Sequence, residues 1–369
     1  MVNIMKIVGI IVEYNPLHNG HVYHINKIKE LAKPDLIIAC MSSTFTMRGD
    51  LSLYNKFDKT KQALELGVDI IIELPFVYSV ERADIFAKNA VSLLNLMNVN
   101  EIWIGSEIND SSLYEKYYNE YNEENVISNY KEGNSYKKAS LNDLPFKSND
   151  LLGFFYYKAI KDNKYNIKLN TILRFNSDYL EKAPTNDFIT SAKAIRENID
   201  ILNKYTPEYV YNNKDIYDEN KIFDKLKYKI LSSSINELKE LFMVDEGLEN
   251  KLKDIKNYNS YNDFINYLTS KRYTNTRIKR MLVCVLFNIK KKEINDIYMK
   301  KINFIRLLGF NSNGKEYINK IKKNVNIYTN IKNDINNILD IELRITNIID
   351  SIYNTNLVLL EQKGPIIKK

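Results

Sequence analysis

His18, His21 and His24 are the only histidines in this chain of 369 residues, and they fall within seven positions. They follow a short apolar run in the order Glu13-Tyr14-Asn15-Pro16-Leu17-His18-Asn19-Gly20-His21. Pro16 suits a turn there, and Gly20 permits close backbone approach at a helix start. His18-Asn19-Gly20-His21 is an HxGH motif. Two imidazoles at i and i+3 beside a helix N-terminus supply N–H donors and a favourable dipole. Such donors suit the charge that builds on the α-phosphate of ATP when a nucleophile attacks in line and pyrophosphate leaves. A three-histidine metal site is the rival reading. His21 and His24 share a helical face, but His18 precedes the helix and neither a further histidine nor a Cys pair completes a zinc shell, so no metal ligand is assigned. Structural histidines brought together by coincidence are the third reading.

A second element points the same way. Ile189-Thr190-Ser191-Ala192-Lys193-Ala194-Ile195-Arg196 starts a helix after a polar loop. It resembles the ISxTxxR signature of the HxGH nucleotidyltransferase superfamily, in which the serine and nearby backbone amides hold a triphosphate that the arginine neutralises. Taken alone, Ser191 also fits an ordinary N-cap. The candidate catalytic residues are His18, His21, Ser191 and Arg196.

Positioning these groups requires a sheet. Ile7–Val12, Leu36–Met41, Ile70–Leu74, Glu101–Ile104 and Asn170–Leu173 read as strands. Helical patterns fill the gaps: His21–Leu31 with Ile25, Ile28 and Leu31 on one face, Lys56–Leu66 ending at Gly67 as a C-cap, and Arg82–Met97 with Ile85, Phe86, Val91 and Leu94. Alternating strands and helices imply an α/β, Rossmann-like, doubly wound parallel sheet with its ligand crevice at the strand C-termini. Residues 106–165 read as an excursion, polar at first and helical over Leu151–Ile160. From about Asn198 strand signals nearly vanish. The expected organisation is a catalytic domain over 1–197 and an all or mostly α-helical domain over 198–369.

Charge divides along the same line. Residues 1–200 hold 23 basic and 26 acidic residues, whereas 201–369 hold 30 and 20. Within 251–330 the count is 18 to 5, the electrostatic footprint of a nucleic-acid binder. Lys271, Arg272, Arg277, Lys279 and Arg280 crowd ten positions, and Tyr273 could stack on an unpaired base. Arg272, Tyr273, Arg277, Lys279 and Arg280 are therefore the candidate RNA-binding residues, a solvated helix face being the plain alternative. A Lys- and Asn-rich composition imposed by an AT-rich genome would raise lysine everywhere, and it explains a basic region beside an acidic one less well. Cys40 and Cys284 are too few and too distant for a disulfide framework. No 18 apolar residues run together, and Ile7–Val12 is short of a signal-peptide core. The expectation is a cytoplasmic protein with no membrane partner.

The stretch from Val8 to His21 resembles the signature opening of the bacterial tRNA(Met) cytidine acetate ligases. Met41-Ser42, Arg48-Gly49, Glu73-Leu74-Pro75-Phe76, Gly105-Ser106-Glu107, Ser148 to Gly153, Lys271-Arg272-Tyr273-Thr274 and Arg306 to Phe310 resemble further blocks of that family in the same order. The resemblance covers nearly the whole chain. It implies activation of acetate by ATP as acetyl-adenylate, followed by acetylation of the exocyclic amine of the wobble cytidine in elongator tRNA(Met). Carried over by motif, ATP contacts fall on Ile11, Val12, Glu13, Tyr14, Asn15, Pro16, Leu17, His18, Asn19, Gly20, His21, Val22, Tyr23 and His24, then on Gly105, Asn149, Arg174 and Phe175. Mg2+ is implied as the counter-ion of ATP, with no residue assigned to it. Thr44, Met47 and Lys193 depart from the family pattern, which usually has asparagine, glutamine and threonine there, and the loop after Arg174 lacks its usual glycines and histidine. Two other functions compete: a small-molecule nucleotidyltransferase moving AMP or CMP to a metabolite, which would not need the basic second half, and an RNA-binding protein with a vestigial crevice, against which the intact motifs speak.

Overall fold

A computed structural model of the chain describes residues 5–121, 146–174, 188–212, 216–332 and 336–369. Five strands pair in parallel: β1 (Ile7–Val12), β2 (Leu36–Ser42), β3 (Ile70–Leu74), β4 (Glu101–Ser106) and β5 (Lys168–Leu173). Their order across the sheet is β5-β4-β1-β2-β3. The chain winds from β1 through β2 to β3, then crosses to the other side of β1 for β4. The switch point therefore lies between β1 and β4, where an open α/β sheet leaves a crevice beyond its strand C-termini.

Strand residues alternate between two cores. Leu36, Ile38 and Cys40 face a layer containing Phe86, Ala90 and Phe154, from the helices Ala83–Leu96 and Ser148–Asp162. Val8, Ile10, Ile37 and Ala39 face Ile25, Ile28, Ala63 and Leu64, from the helices Asn19–Ala32 and Lys56–Leu66. Helices thus cover both faces, so the strands read as near-continuous apolar runs. Gly67 caps the second helix with φ 94°. In the first helix Ala32, not Leu31, completes the buried stripe: Leu31 is 57% exposed.

The region after residue 198 is mostly helical, but its last third returns to the sheet. β6 (Phe304–Phe310) lies antiparallel to β3, and β7 (Asn326–Tyr328) and β8 (Ile366–Ile367) pair with β6 in parallel. Every residue of β6 is buried, so it lacks the alternation that marks a half-exposed strand. It also contains Arg306, which is only 1% exposed and lies 2.9 Å from Glu361. Cys40 and Cys284 are buried free thiols. Among the described residues, no helix is long and apolar enough to cross a membrane.

A buried charge cluster joins the sheet to the C-terminal helices. The Lys56 ammonium meets Glu73 at 2.7 Å, Glu342 at 3.8 Å and, closer still, Glu361. Burial and the neighbouring Glu73 carboxylate push the Glu342 carboxyl up to about 8. The cluster sets two cations, Lys56 and Arg306, against Glu73, Glu342 and Glu361. Glu342 also accepts from the Phe76 amide and from the Ser43 hydroxyl, tying the helix Asn337–Tyr353 to the C-terminal ends of β2 and β3. Removing one partner from such a cluster leaves a buried charge uncompensated. Lys56→Met is expected to lower unfolding free energy by about 3–5 kcal/mol, read from urea denaturation, and Lys56→Met combined with Glu73→Gln to recover part of the loss. A change under about 1 kcal/mol for the single variant would show that water reaches the cluster.

Candidate active site

The helix that carries the histidines begins at Asn19, with His18 as its N-cap. The Nδ1 atom of His18 accepts from the Gly20 amide at 3.0 Å, and that of His21 accepts from the His18 amide at 3.1 Å. An imidazole that accepts at Nδ1 while neutral must carry its proton on Nε2. Burial, reinforced by Arg174 and Arg196, pushes His18 down to about 3. Burial together with the other two imidazoles and Arg174 pushes His21 well below its usual value. Both rings are therefore neutral at pH 7, and each retains an Nε2–H to donate. Their centroids are 4.0 Å apart, and Tyr14 stands edge-on to His21 at 4.9 Å. A Cβ at Gly20 would sit 2.7 Å from the His18 ring, so only glycine leaves that ring in place.

His24 lies one turn on, pushed down to about 4 by burial and by Arg174. Its Nε2 is buried and has no hydrogen-bond partner. An orphaned polar atom in a concave wall fits a site that awaits a polar ligand. Among the described residues no group of three His, Cys, Asp or Glu side chains is placed to hold an ion.

Most of the expected residues gather in one cleft. Ile11, Val12, Glu13, Tyr14, Asn15, His18, Gly20, His21, Tyr23, His24, Gly105, Asn149, Arg174, Ser191 and Arg196 all line it. Pro16, Leu17, Asn19 and Val22 do not. Leu17 is wholly buried beneath the loop, and the Asn19 amide donates to the Phe188 carbonyl at 3.0 Å, pinning the motif to the approach to the second element. Phe175 lies outside the described residues. Ser191 acts as the N-cap of the helix Ala192–Glu197, its Oγ accepting from the Ala194 amide at 3.1 Å. Arg196 donates to the Asn15 carbonyl at 2.5 Å, joining the two motifs directly.

Several residues that the sequence did not mark as functional hold this arrangement. The Asp150 carboxylate is fully buried and accepts from Ser106, from the Glu107 and Ile108 amides at 3.1 and 3.2 Å, and from the Tyr114 hydroxyl at 3.0 Å. It thereby fixes the turn that follows Gly105. Glu107 accepts from the Asn149 amide and lies 3.7 Å from Arg174, presenting both side chains to the cleft. Lys59 is entirely buried. Its ammonium donates to the carbonyls of Glu13, Ser42 and Ser43 at 3.0, 2.8 and 2.6 Å and to the Ser52 hydroxyl at 3.1 Å, binding the ends of β1 and β2 together. Met47, a departure from the family pattern, contributes its backbone: its amide donates to the Glu13 carboxylate at 2.6 Å, a contact indifferent to the side chain. Thr44 likewise accepts from the Ser52 amide through its carbonyl, and Lys193 pairs loosely with Glu197 at 3.8 Å.

The four cations among the candidate RNA-binding residues, Arg272, Arg277, Lys279 and Arg280, do not all reach the surface. Arg280 is 8% exposed, within the field of the Glu81 carboxylate, and its Nε is buried without a partner. It is a core residue rather than a surface contact. Lys279 meets Asp50 at 2.6 Å, and Arg277 reaches the Met243 carbonyl at 2.8 Å and Asp245 at 3.3 Å. Arg272, half-exposed, pairs with Glu246 at 2.5 Å, and the same carboxylate accepts from the Tyr273 hydroxyl at 2.8 Å. The acids that neutralise this cluster come from distant segments, which local charge counting omits.

In a water-poor cleft, deleting one donor that meets developing phosphate charge costs about 3 kcal/mol, on the order of 100-fold in rate. His18→Ala and His21→Ala are each expected to lower adenylate formation by that factor, measured as ATP–pyrophosphate exchange, with little loss of helix content. A variant that keeps more than a tenth of wild-type exchange would remove that ring from the phosphate role.

The comparisons with known proteins agree with the geometry. A family model described as HIGH Nucleotidyl Transferase matches residues 5–363. A tRNA(Met) cytidine acetate ligase of Clostridium perfringens is 37% identical over 384 aligned positions, covering 93% of this chain and 94% of its own. The crystal structure of Thermotoga maritima TmcAL in its apo form superimposes with a TM-score of 0.86 at 26% identity, covering 98% of this chain and 99% of that one. The same protein bound with alpha-thio ATP gives 0.83 at 25% identity and the same coverage. A chain with this sheet, this switch-point cleft and this whole-length similarity belongs to the HIGH nucleotidyltransferases and, within them, to the tRNA(Met) cytidine acetate ligase family.

Proposed function

We propose that the protein activates acetate with ATP as acetyl-adenylate and transfers the acetyl group to the exocyclic amine of the wobble cytidine of elongator tRNA(Met). The observation that carries the reading is the pair of neutral imidazoles, each fixed by a backbone amide so that Nε2–H is the donor, at the switch point of the sheet. Neutral donors suit phosphoryl chemistry in which charge appears only as the reaction proceeds. Arg174 and Arg196 flank the same cleft and supply fixed positive charge for the triphosphate. In the first step an acetate oxygen bonds to the α-phosphorus and pyrophosphate departs. In the second, the cytidine amine bonds to the acetyl carbon and AMP departs.

The orphaned His24 Nε2 and the glycine that keeps the His18 ring in place fit a nucleotide in this cleft. Mg2+ would accompany the triphosphate as its counter-ion, and no described side-chain group is assigned to it. The basic excess of residues 251–330, with Lys271 and Arg272 at the surface, supports a polyanionic partner. A small-molecule nucleotidyltransferase would leave that excess unused.

Incubation with ATP, labelled acetate and total bacterial tRNA, followed by mass spectrometry of the nucleosides, tests the whole reading. The expected product is acetylated cytidine at the wobble position, and acetate-dependent ATP–pyrophosphate exchange is expected without tRNA. Exchange that needs a phosphorylated metabolite instead of acetate, or absence of acetylated cytidine, would overturn it.

A further inference from the structure

The nucleotide cleft shares a wall with a second, polar groove. Arg48, Asp50 and Arg196 line both. Beyond them the groove passes Glu219 and reaches Asn275 and Lys279 at the start of the helix Asn275–Leu286. The loop that carries Arg48 and Asp50 is held tightly. Phe45 bridges to Leu51, and the Thr46 amide donates to the Asp50 carbonyl at 2.9 Å. Gly49, with φ 82°, lies so close to the helix that a Cβ would stand 2.7 Å from the Arg280 backbone nitrogen. Asp50 is thereby fixed at the junction of the two spaces, with Lys279 at 2.6 Å.

A carbonyl carbon carried on the α-phosphate must be attacked from a side that the adenylate does not fill. This groove is a space that opens onto that junction. We infer that it receives a single unpaired cytosine of the RNA, and that Asp50 accepts the N4–H of that base and takes its proton as the acetyl group is transferred. This rests on the proposed function. A carboxylate is the group that accepts from cytosine N4, and it repels the O4 lone pairs that uracil presents at the same position. Donors from Lys279, Arg196 and the Asn275 amide are available for the cytosine N3 and O2 acceptors. The step balances: the N4–carbon bond forms, the carbon–oxygen bond to AMP breaks, the electron pair leaves on the AMP phosphate, and the N4 proton passes to Asp50. Burial pushes the Asp50 carboxyl up, but Lys279, Arg196 and Arg48 outweigh it and hold the group below its usual range. It is thus ionised before the base arrives.

Two measurements on the full-length protein test this. The first uses tRNA bearing 5-iodocytidine at the wobble position, which keeps the N4 amine and places a photoreactive iodine on the neighbouring ring carbon. Irradiation of its complex with the wild-type protein is expected to crosslink to the peptide containing Asp50 or to the segment 275–279, and a crosslink confined to another region would overturn the assignment. The second compares Asp50→Asn with wild type. Loss of a positioned proton acceptor lowers rate by on the order of 100-fold or more, so single-turnover acetyl transfer to tRNA should fall at least that far, and by at least about tenfold more than acetate-dependent exchange. Equal losses in the two steps, or transfer above a tenth of wild type, would refute the role of Asp50. If the wild-type protein neither exchanges nor acetylates, the proposed function itself is wrong, which separates the two failures.

Discussion

Two backbone amides decide what this site can do. The Gly20 and His18 N–H groups occupy the Nδ1 atoms of His18 and His21, so each ring can donate only through Nε2. The rest of the fold keeps those amides where they are. β1 delivers the loop, the helix start at Asn19 sets the spacing of the two rings, and Arg196 draws the Asn15 carbonyl toward the second motif. Burial then keeps the imidazoles neutral. A charged ring would bind a phosphate in its ground state as well as in its transition state, and binding both equally does not accelerate chemistry.

Single buried cations carry much of the long-range order. Lys59 gathers four oxygens from the ends of β1 and β2 and from the loop behind Asp50, and burial lowers its ammonium to about 7, with Glu13 and Glu73 opposing that loss of charge. Lys56, one turn earlier on the same helix, reaches carboxylates from β3 and from both C-terminal helices. One helix thus connects the site loops on one side and the returning C-terminal segment on the other. Removing either ammonium would strand polar groups that water cannot reach.

The sequence revealed the five parallel strands, the cleft and most of its lining because each has a local signal: apolar runs, caps, and three histidines in seven positions. β6 escaped because Arg306 interrupts its apolar run and reads as a surface residue when its partner Glu361 lies 55 positions away. Asp150 and Glu107 escaped for a similar reason. Their work is done on backbone amides and on side chains more than 35 residues distant. Counting charge over 272–280 did not show that Asp50, Asp245 and Glu246, which come from other segments, pair with Lys279, Arg277 and Arg272, or that Arg280 is buried.

With only three histidines in the chain, their ring nitrogens can be resolved one by one by nitrogen-15 NMR, and the spectrum reads both charge and tautomer. Groups pushed far below an ordinary imidazole stay unprotonated until the pH approaches their folded values, so His18 should not titrate between pH 7 and 5. The predicted spectrum shows His18 and His21 neutral at pH 7, protonated on Nε2 and bare on Nδ1, with His18 unchanged down to pH 5. An imidazolium signal at pH 7, or a proton on Nδ1 of either ring, would contradict the account.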